Sequence, residues 1–483
     1  MSDSNRNKPA AASPAIGRRT LLAATTAIAA ASIWPGRATA QSTASPASPS
    51  LPARGEFVVR GAHVLSMDDK IGDFPTGDVH VRNGAIVAVA ASVAAPGAQV
   101  IDGKGMICMP GLIDTHWHHW TTFLRPALRA DDPKKTYFPV TAAVGQHYTP
   151  EDSYQSVKLS LAEAIGAGVT TTHNWAHNVR SPAHADAEVK AMRESGLRGR
   201  FAYGPAQGMP NDQPMDLADW ARMKKELAKD ALIGLGVCSR NIDASNASRG
   251  AINADMAKKE WGAARDLGLP ITLHTNGSAN IQLLAANNLL GKDVQLVHPL
   301  NLAPGDFELL AKHDVRYSIS PTGEAGRTGE TQLAELLQAG VKVSISIDNV
   351  TADRCDCFAC AKMLQILNRH RTAGKYSLTT RRLVQMMTID GAIDLGLADK
   401  TGSLTPGKRA DLILVKTGTP NMKQIGDPYD ALVQQAQPSD IDTVVADGRI
   451  LLRKREFTAL DYEKVAADTN ATFEALKARA KFS

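Results

Sequence analysis

The chain has 483 residues, 43% hydrophobic and 21% charged, an ordinary globular composition with room for one large α/β domain and a smaller one. Its formal charge is +5, but residues 1–40 hold Arg6, Lys8, Arg18, Arg19 and Arg37 against Asp3 alone, which is +4 of the total. The remainder is near +1, which excludes a basic patch of the size that nucleic acid demands.

Residues 1–40 have the layout of an export signal. Arg18-Arg19 precede the mildly apolar LLAATTAIAAASIW, and Ala38-Thr39-Ala40 offers a small-residue cleavage site before Gln41. The arginine pair followed by Thr20-Leu21-Leu22 resembles a twin-arginine signal, which exports folded, cofactor-loaded proteins. Delivery to the periplasm with no stable membrane insertion is the expectation. The apolar run is too short and too rich in Ala and Thr for a good spanning helix. Residues 41–56 contain STASPASPSLPA, a Ser/Pro/Ala-rich linker.

Residues 57–109 alternate on a period of two, in FVVRGAHVLSM, DVHVRNGAIVAVA and AQVIDGKGMICMPG, with Asn83-Gly84 as a hairpin turn. The same texture returns in residues 402–457, with Asp447-Gly448 as another turn. The two pieces are expected to pair into one small composite β-sandwich domain built from both ends.

Residues 110–401 are different. Strand-like runs follow helical stretches in GVTTTHNW, LIGLGVCSRN, PITLHTN, VQLVHP, VRYSISP and VKVSISIDN, after a first strand that ends at His116. Such alternation belongs to the α/β class and suits a (β/α)8 TIM barrel with insertions. A doubly wound open sheet is the alternative, but no glycine-rich dinucleotide fingerprint follows the first strand. Residues 458–483 include LDYEKVAADTNATFEALKARAK, an amphipathic C-terminal helix that docks on the barrel or on a second subunit of a homo-oligomer.

Five cysteines, an odd count, argue against a disulfide framework in an exported protein. Cys355, Cys357 and Cys360 have the spacing of a metal or redox cluster. They open a helical stretch, however, where a spacing of two points to different faces, so buried thiols are the simpler reading.

The histidines carry the chemistry. PGLIDTHWHHW places His116 and His118 two apart on a strand, on one face. His274 closes ITLH, His298 closes VQLVH and Asp348 closes VSISID, each at the C-terminal end of a strand, where such barrels gather catalytic groups. Imidazole and carboxylate suit one divalent transition metal, Zn²⁺ or Fe²⁺, with a position left open for water. His119 points away from the pair, toward packing or a supporting role. His173 and His177 follow the second strand at the same rim, where they can contact substrate or support ligands. Trp117, Trp120, Trp175 and Phe123 lie nearby and either line an aromatic pocket or pack.

These residues and their order resemble the amidohydrolase superfamily, in its single-metal branch of cytosine deaminase and triazine hydrolase relatives. PGLIDTHWH is similar to that family's first-strand signature, and SLTPGKRADLILV to the return of its split β domain. The resemblance spans about residues 57–457. It implies a metal held by His116, His118, His274 and Asp348. It also implies a proton-transferring role for Asp348 and a water-orienting or substrate-polarising role for His298. No lysine ends LIGLGVCSRN, so the bridging lysine of the two-metal branches is absent.

One departure matters. Many deaminases of this branch carry glutamate three residues after the fifth-strand histidine, and here that position is Gly277. The nearest spare carboxylate is Glu324 in SPTGEAG, read as a loop residue. The expectation is therefore a hydrolase that cuts a non-peptide C–N bond of a small molecule, an amide, urea or lactam, through a metal-activated hydroxide. Hydrolytic deamination of a purine, pyrimidine or triazine is the alternative. Substrate contacts are assigned to His173, Trp120 and Glu324.

Overall fold

Strand formation follows the two textures of the chain. In the computed structural model, which describes residues 51–243, 250–275, 277–298, 300–351, 353–424 and 426–482, the period-two ends form one mixed sheet and the middle forms a parallel one. The export signal and most of the linker lie outside the described residues.

The first sheet opens with β1 (Glu56–Val64), β2 (Phe74–Arg82), β3 (Ala85–Ala90), β4 (Gln99–Asp102) and β5 (Met106–Pro110). The barrel follows with β6 (Leu112–Trp117), β7 (Val169–Ala176), β8 (Arg198–Tyr203), β9 (Ile233–Cys238), β10 (Ile271–His274), β11 (Val294–Val297), β12 (Arg316–Ile319) and β13 (Lys342–Ile345). The chain then returns to the first sheet with β14 (Leu412–Lys416), β15 (Ile441–Ala446), β16 (Arg449–Arg453) and β17 (Glu456–Phe457). The join is β5 against β14, antiparallel, so nine strands from the two ends make one continuous sheet.

Alternation along these strands serves two cores at once. Cys108, Leu412, Leu414 and Val445 face the small core with Phe57, Val79 and Ile101. Their neighbours Ile107, Met109, Ile413, Val415 and Val444 face the large core shared with the barrel. Both expected turns are present. Asn83-Gly84 and Asp447-Gly448 take left-handed conformations, φ 51 and 81°, then 51 and 74°. The two turns meet so closely that a Cβ on Gly448 would lie 2.3 Å from Gly84 Cα. Glycine is required there.

The barrel has eight strands, one more than the alternating runs disclose. The extra one is β8, RGRFAY, whose arginines hide it. Arg198 is 2% exposed and donates to Asp411 at 2.8 Å, beside Asp447 at 3.4 Å, which ties the barrel to the first sheet. Arg200 donates to the Leu395 carbonyl. The interior is polar where many barrels are branched and apolar. Thr115 bonds Ser318 and Ser344, each at 2.8 Å. Gln295 donates to Asp394 at 3.0 Å and to the Thr115 carbonyl at 3.1 Å.

The barrel closes between its first and last strands. Trp117 and Asp348 form a parallel bridge. Asp348 N–H donates to the His116 carbonyl at 2.8 Å, and His118 N–H to the Asp348 carbonyl at 2.7 Å.

The terminal helix runs Tyr462–Ala480, capped by Asp461, and docks on its own chain. Phe473 meets Phe123 edge-on with centroids 5.8 Å apart, and Arg479 pairs with Asp152. Among the described residues no helix is long and apolar enough to cross a membrane. Cys355, Cys357 and Cys360 are free and buried, and burial pushes their thiols well up.

Removing Arg198 strands the buried Asp411 carboxylate. Arg198→Leu is expected to lower stability by about 3–5 kcal/mol, the cost of breaking one side of a buried pair, measured by urea unfolding.

Candidate metal centre

Four side chains converge at the C-terminal mouth of the barrel. His116 and His118 come from β6, whose alternation sends both inward. His274 is the last residue of β10. Asp348 follows the end of β13 by three residues, in the bridge that closes the barrel. One ligand atom from each lies within 4.8 Å of all the others. His274 Nε2 is 3.2 Å from His116 Nε2, and Asp348 Oδ1 is 3.3 Å from His116 Nε2 and 3.2 Å from His118 Nε2. Tetrahedral ligands at ordinary zinc bond lengths sit about 3.3 Å from one another. Lone pairs packed this closely repel unless a cation lies between them. The set fits one divalent metal.

Burial prepares the donors. It pushes His116 and His118 down to about 4, only partly opposed by Asp348, and holds His274 well below its ordinary value. Neutral imidazole, the form that binds metal, is therefore the state at neutral pH. Burial pushes the Asp348 carboxyl up, but the imidazoles of His298, His116 and His118 around it hold it well below the carboxylate range.

Other side chains hold the ligands. Asp114, next but one before His116, accepts from Ile347 N–H at 2.9 Å and from Thr172 at 3.0 Å. It thereby pins the segment that carries Asp348. Trp120 Nε1–H can only donate, so His177 Nδ1 must accept from it at 2.9 Å. His118 Nδ1 lies 3.1 Å from that same nitrogen and must carry its hydrogen. His118 Nε2 is left bare, facing the other ligands. Trp175 stacks on His274, with centroids 4.1 Å apart.

On the open side stand two unpartnered atoms. His298 Nε2 and Asp348 Oδ2 are buried without hydrogen bonds among the described residues, 3.8 Å apart. Both residues hold left-handed backbone, φ 63 and 70°, a conformation that costs of order 1–3 kcal/mol and clusters at functional sites. Glu324 Oε1 accepts from His298 Nδ1 at 3.1 Å and from Ser320 N–H at 2.9 Å.

The three residues expected to touch substrate are all buried. Glu324 is not a loop residue: it is 1% exposed, on the helix Pro321–Arg327, and it supports His298. Trp120 is fully buried and spends its N–H on His177, with its ring against Tyr148. His173 is fully buried, and neither ring nitrogen has a partner among the described residues. His177, ranked below His173 on sequence, is the one that touches a ligand. His119 bonds Ser160 and Thr172 at 2.6 and 2.8 Å, outside the cluster. Asp114 is the further functional carboxylate, and its place inside an apolar strand two residues before His116 is its signal in the sequence.

A parallel barrel whose mouth gathers three imidazoles and a carboxylate defines the class of mononuclear metal-site barrels. The amidohydrolase family model matches residues 107–451. A 5′-deoxyadenosine deaminase of Methanosarcina mazei is 28% identical over 445 residues, covering 88% of this chain and 99% of that protein. A 5-methylthioadenosine/S-adenosylhomocysteine deaminase of Pelotomaculum thermopropionicum is 27% identical, covering 85% and 96%. Among solved structures, a zinc-bound adenosine deaminase from Xanthomonas campestris superposes with TM-score 0.77 at 21% identity, over 88% of this chain and all of that one. Zinc-bound atrazine chlorohydrolase from Arthrobacter aurescens superposes with TM-score 0.73 at 18% identity, over 86% and 99%. The chain belongs to the amidohydrolase family.

His177→Phe removes the acceptor that orients His118. Zinc affinity, measured by competition with a chromophoric chelator, is expected to fall ten- to a hundredfold, roughly the range for such supporting contacts.

Proposed function

We propose that this protein hydrolyses a non-peptide C–N bond of a small molecule, an amide, urea, lactam or similar, with a single divalent cation, Zn²⁺, held by His116, His118, His274 and Asp348. The observation that carries the reading is the pair of buried atoms without hydrogen bonds among the described residues, Asp348 Oδ2 and His298 Nε2, on the open side of the cluster. When bound, such a cation lowers the pKa of water to about 7.

The chain's own groups do the rest. Asp348 Oδ2 takes the proton of the attacking water and returns it to the leaving nitrogen. His298 Nε2, left as an acceptor because Nδ1–H is spent on Glu324, takes a hydrogen bond from the attacking water and orients it. Glu324 fixes the His298 ring by its Nδ1 bond, so that Nε2 stays turned to the reacting centre. The water's oxygen ends on carbon, and nitrogen leaves with the proton that Asp348 carried.

A second reading is deamination of a heterocycle. Two observations favour it: relatives named as deaminases match nearly end to end, and Glu324 Oε2 is buried and unpartnered near His298. Bonded to His298 Nδ1, that carboxylate can exchange a proton with the site through the His298 ring, in place of the glutamate that Gly277 replaces. Ammonia release from purines, pyrimidines and triazines, set against acid and amine release from amides, ureas and lactams, separates the two. On whichever substrate turns over, Asp348→Asn is expected to keep the fold and lose about 10²–10⁴-fold in rate. Wild-type turnover by that variant would refute the assignment of the base.

Export is part of the proposal, supported by Arg18-Arg19 and the small-residue cleavage site. Replacing both arginines with lysine is expected to leave the full precursor in the cytoplasm, read by cell fractionation.

A further inference from the structure

The helix Pro321–Arg327, which follows β12, turns three residues toward the centre. Glu324 holds His298. Gly323 lies bare against Asp348, where a Cβ would come 3.0 Å from Oδ2. Arg327, one turn later on the same face, brings its guanidinium 3.6 Å from Asp348 Oδ2.

That contact differs from the chain's structural ion pairs. Arg198 and Asp411 are 2.8 Å apart with side chains 2% and 0% exposed. Arg327 is 47% exposed, and among the described residues it makes no hydrogen bond, only the long contact to Asp348. Its donor fork is thus unused on the open side of the cluster, beside the atom assigned to proton transfer. Tyr137 adds a second donor. Its hydroxyl is buried and unpartnered among the described residues, and its ring centroid lies 6.1 Å from that of His118.

We propose that the substrate carries an anionic group, a carboxylate or its equivalent, beyond the scissile C–N bond, and that Arg327 seats it with help from the Tyr137 hydroxyl. The inference rests on the hydrolase reading above. A planar guanidinium matches a carboxylate bidentately, and charge-assisted hydrogen bonds in a partly dry mouth are the strong ones. Seating the anion also draws the guanidinium away from Asp348 Oδ2 and frees that oxygen for the water. Arg327 is a specificity-determining residue, fixing the far end of the substrate while the chemistry takes place at Asp348 and His298.

The test uses the zinc-loaded full mature chain and hydroxamates, which anchor on a metal. Malonic, succinic and glutaric monohydroxamates are compared by calorimetry with propiono-, butyro- and valerohydroxamate, their neutral matches in length. At least one acid is expected to bind about ten- to a hundredfold more tightly than its match, the worth of a hydrogen-bonded charge. The advantage should vanish in Arg327→Gln and persist in part in Arg327→Lys. Equal affinities within every pair on the wild-type protein, or an advantage that survives Arg327→Gln, overturn the anion assignment and leave the metal reading standing. If no hydroxamate binds at all, the hydrolase reading falls and takes this inference with it. The wild-type comparison decides by itself if a variant fails to fold.

Discussion

Everything at the mouth of this barrel depends on one seam. The first barrel strand and the segment after the last exchange two backbone hydrogen bonds, Asp348 N–H to the His116 carbonyl and His118 N–H to the Asp348 carbonyl. Asp114 adds a third bond, from the Ile347 amide. These bonds close the sheet, and they also carry Asp348 across more than two hundred residues of chain to the two histidines of β6. Closure of the fold and assembly of the site are one event. The left-handed backbone at Asp348 is tolerated because the seam over-determines it.

The seam gathers groups that do not belong together without a cation. Three neutral imidazoles and a carboxylate crowd their lone pairs into one buried space, and taking them from water is costly. A divalent ion held by these four side chains would turn that crowding into coordination. Around it the structure adds direction rather than more ligands: His177 and Trp120 settle which nitrogen of His118 is bare, Trp175 backs His274, and Glu324 turns His298 outward. The interior below the centre is itself polar, with Thr115, Gln295, Ser318, Ser344 and Asp394 bonded across the barrel axis. The site thus stands on a hydrogen-bonded floor, where a purely apolar one would hold it only by packing.

Family membership and this chain's own features pull in different directions at one point. The ligand order and the split sheet are those of the amidohydrolase family, whereas Gly277 occupies the place where many of its deaminases carry glutamate. The helix Pro321–Arg327 brings a buried carboxylate to the opposite end of the His298 ring and a guanidinium to Asp348. Both charges come from a segment with little apolar periodicity, too short to announce itself as a helix.

The sequence by itself determined the class of fold, seven of the eight barrel strands and the four side chains that meet at the mouth. Periodicity is a local property, and a histidine or aspartate closing a buried strand stands out against its apolar neighbours. It could not show β8, because Arg198 and Arg200 break the apolar run and are neutralised by Asp411, Asp447 and the Leu395 carbonyl, partners about two hundred residues away. Nor could it rank His177 above His173: one stands just past the end of β7 and the other within it, and only the placement of Trp120 decides which ring meets His118. The burial of Glu324 and the reach of Arg327 are likewise consequences of how one short helix lies on the mouth. Contacts between distant parts of the chain carry no periodic signal, so tertiary structure alone could decide them.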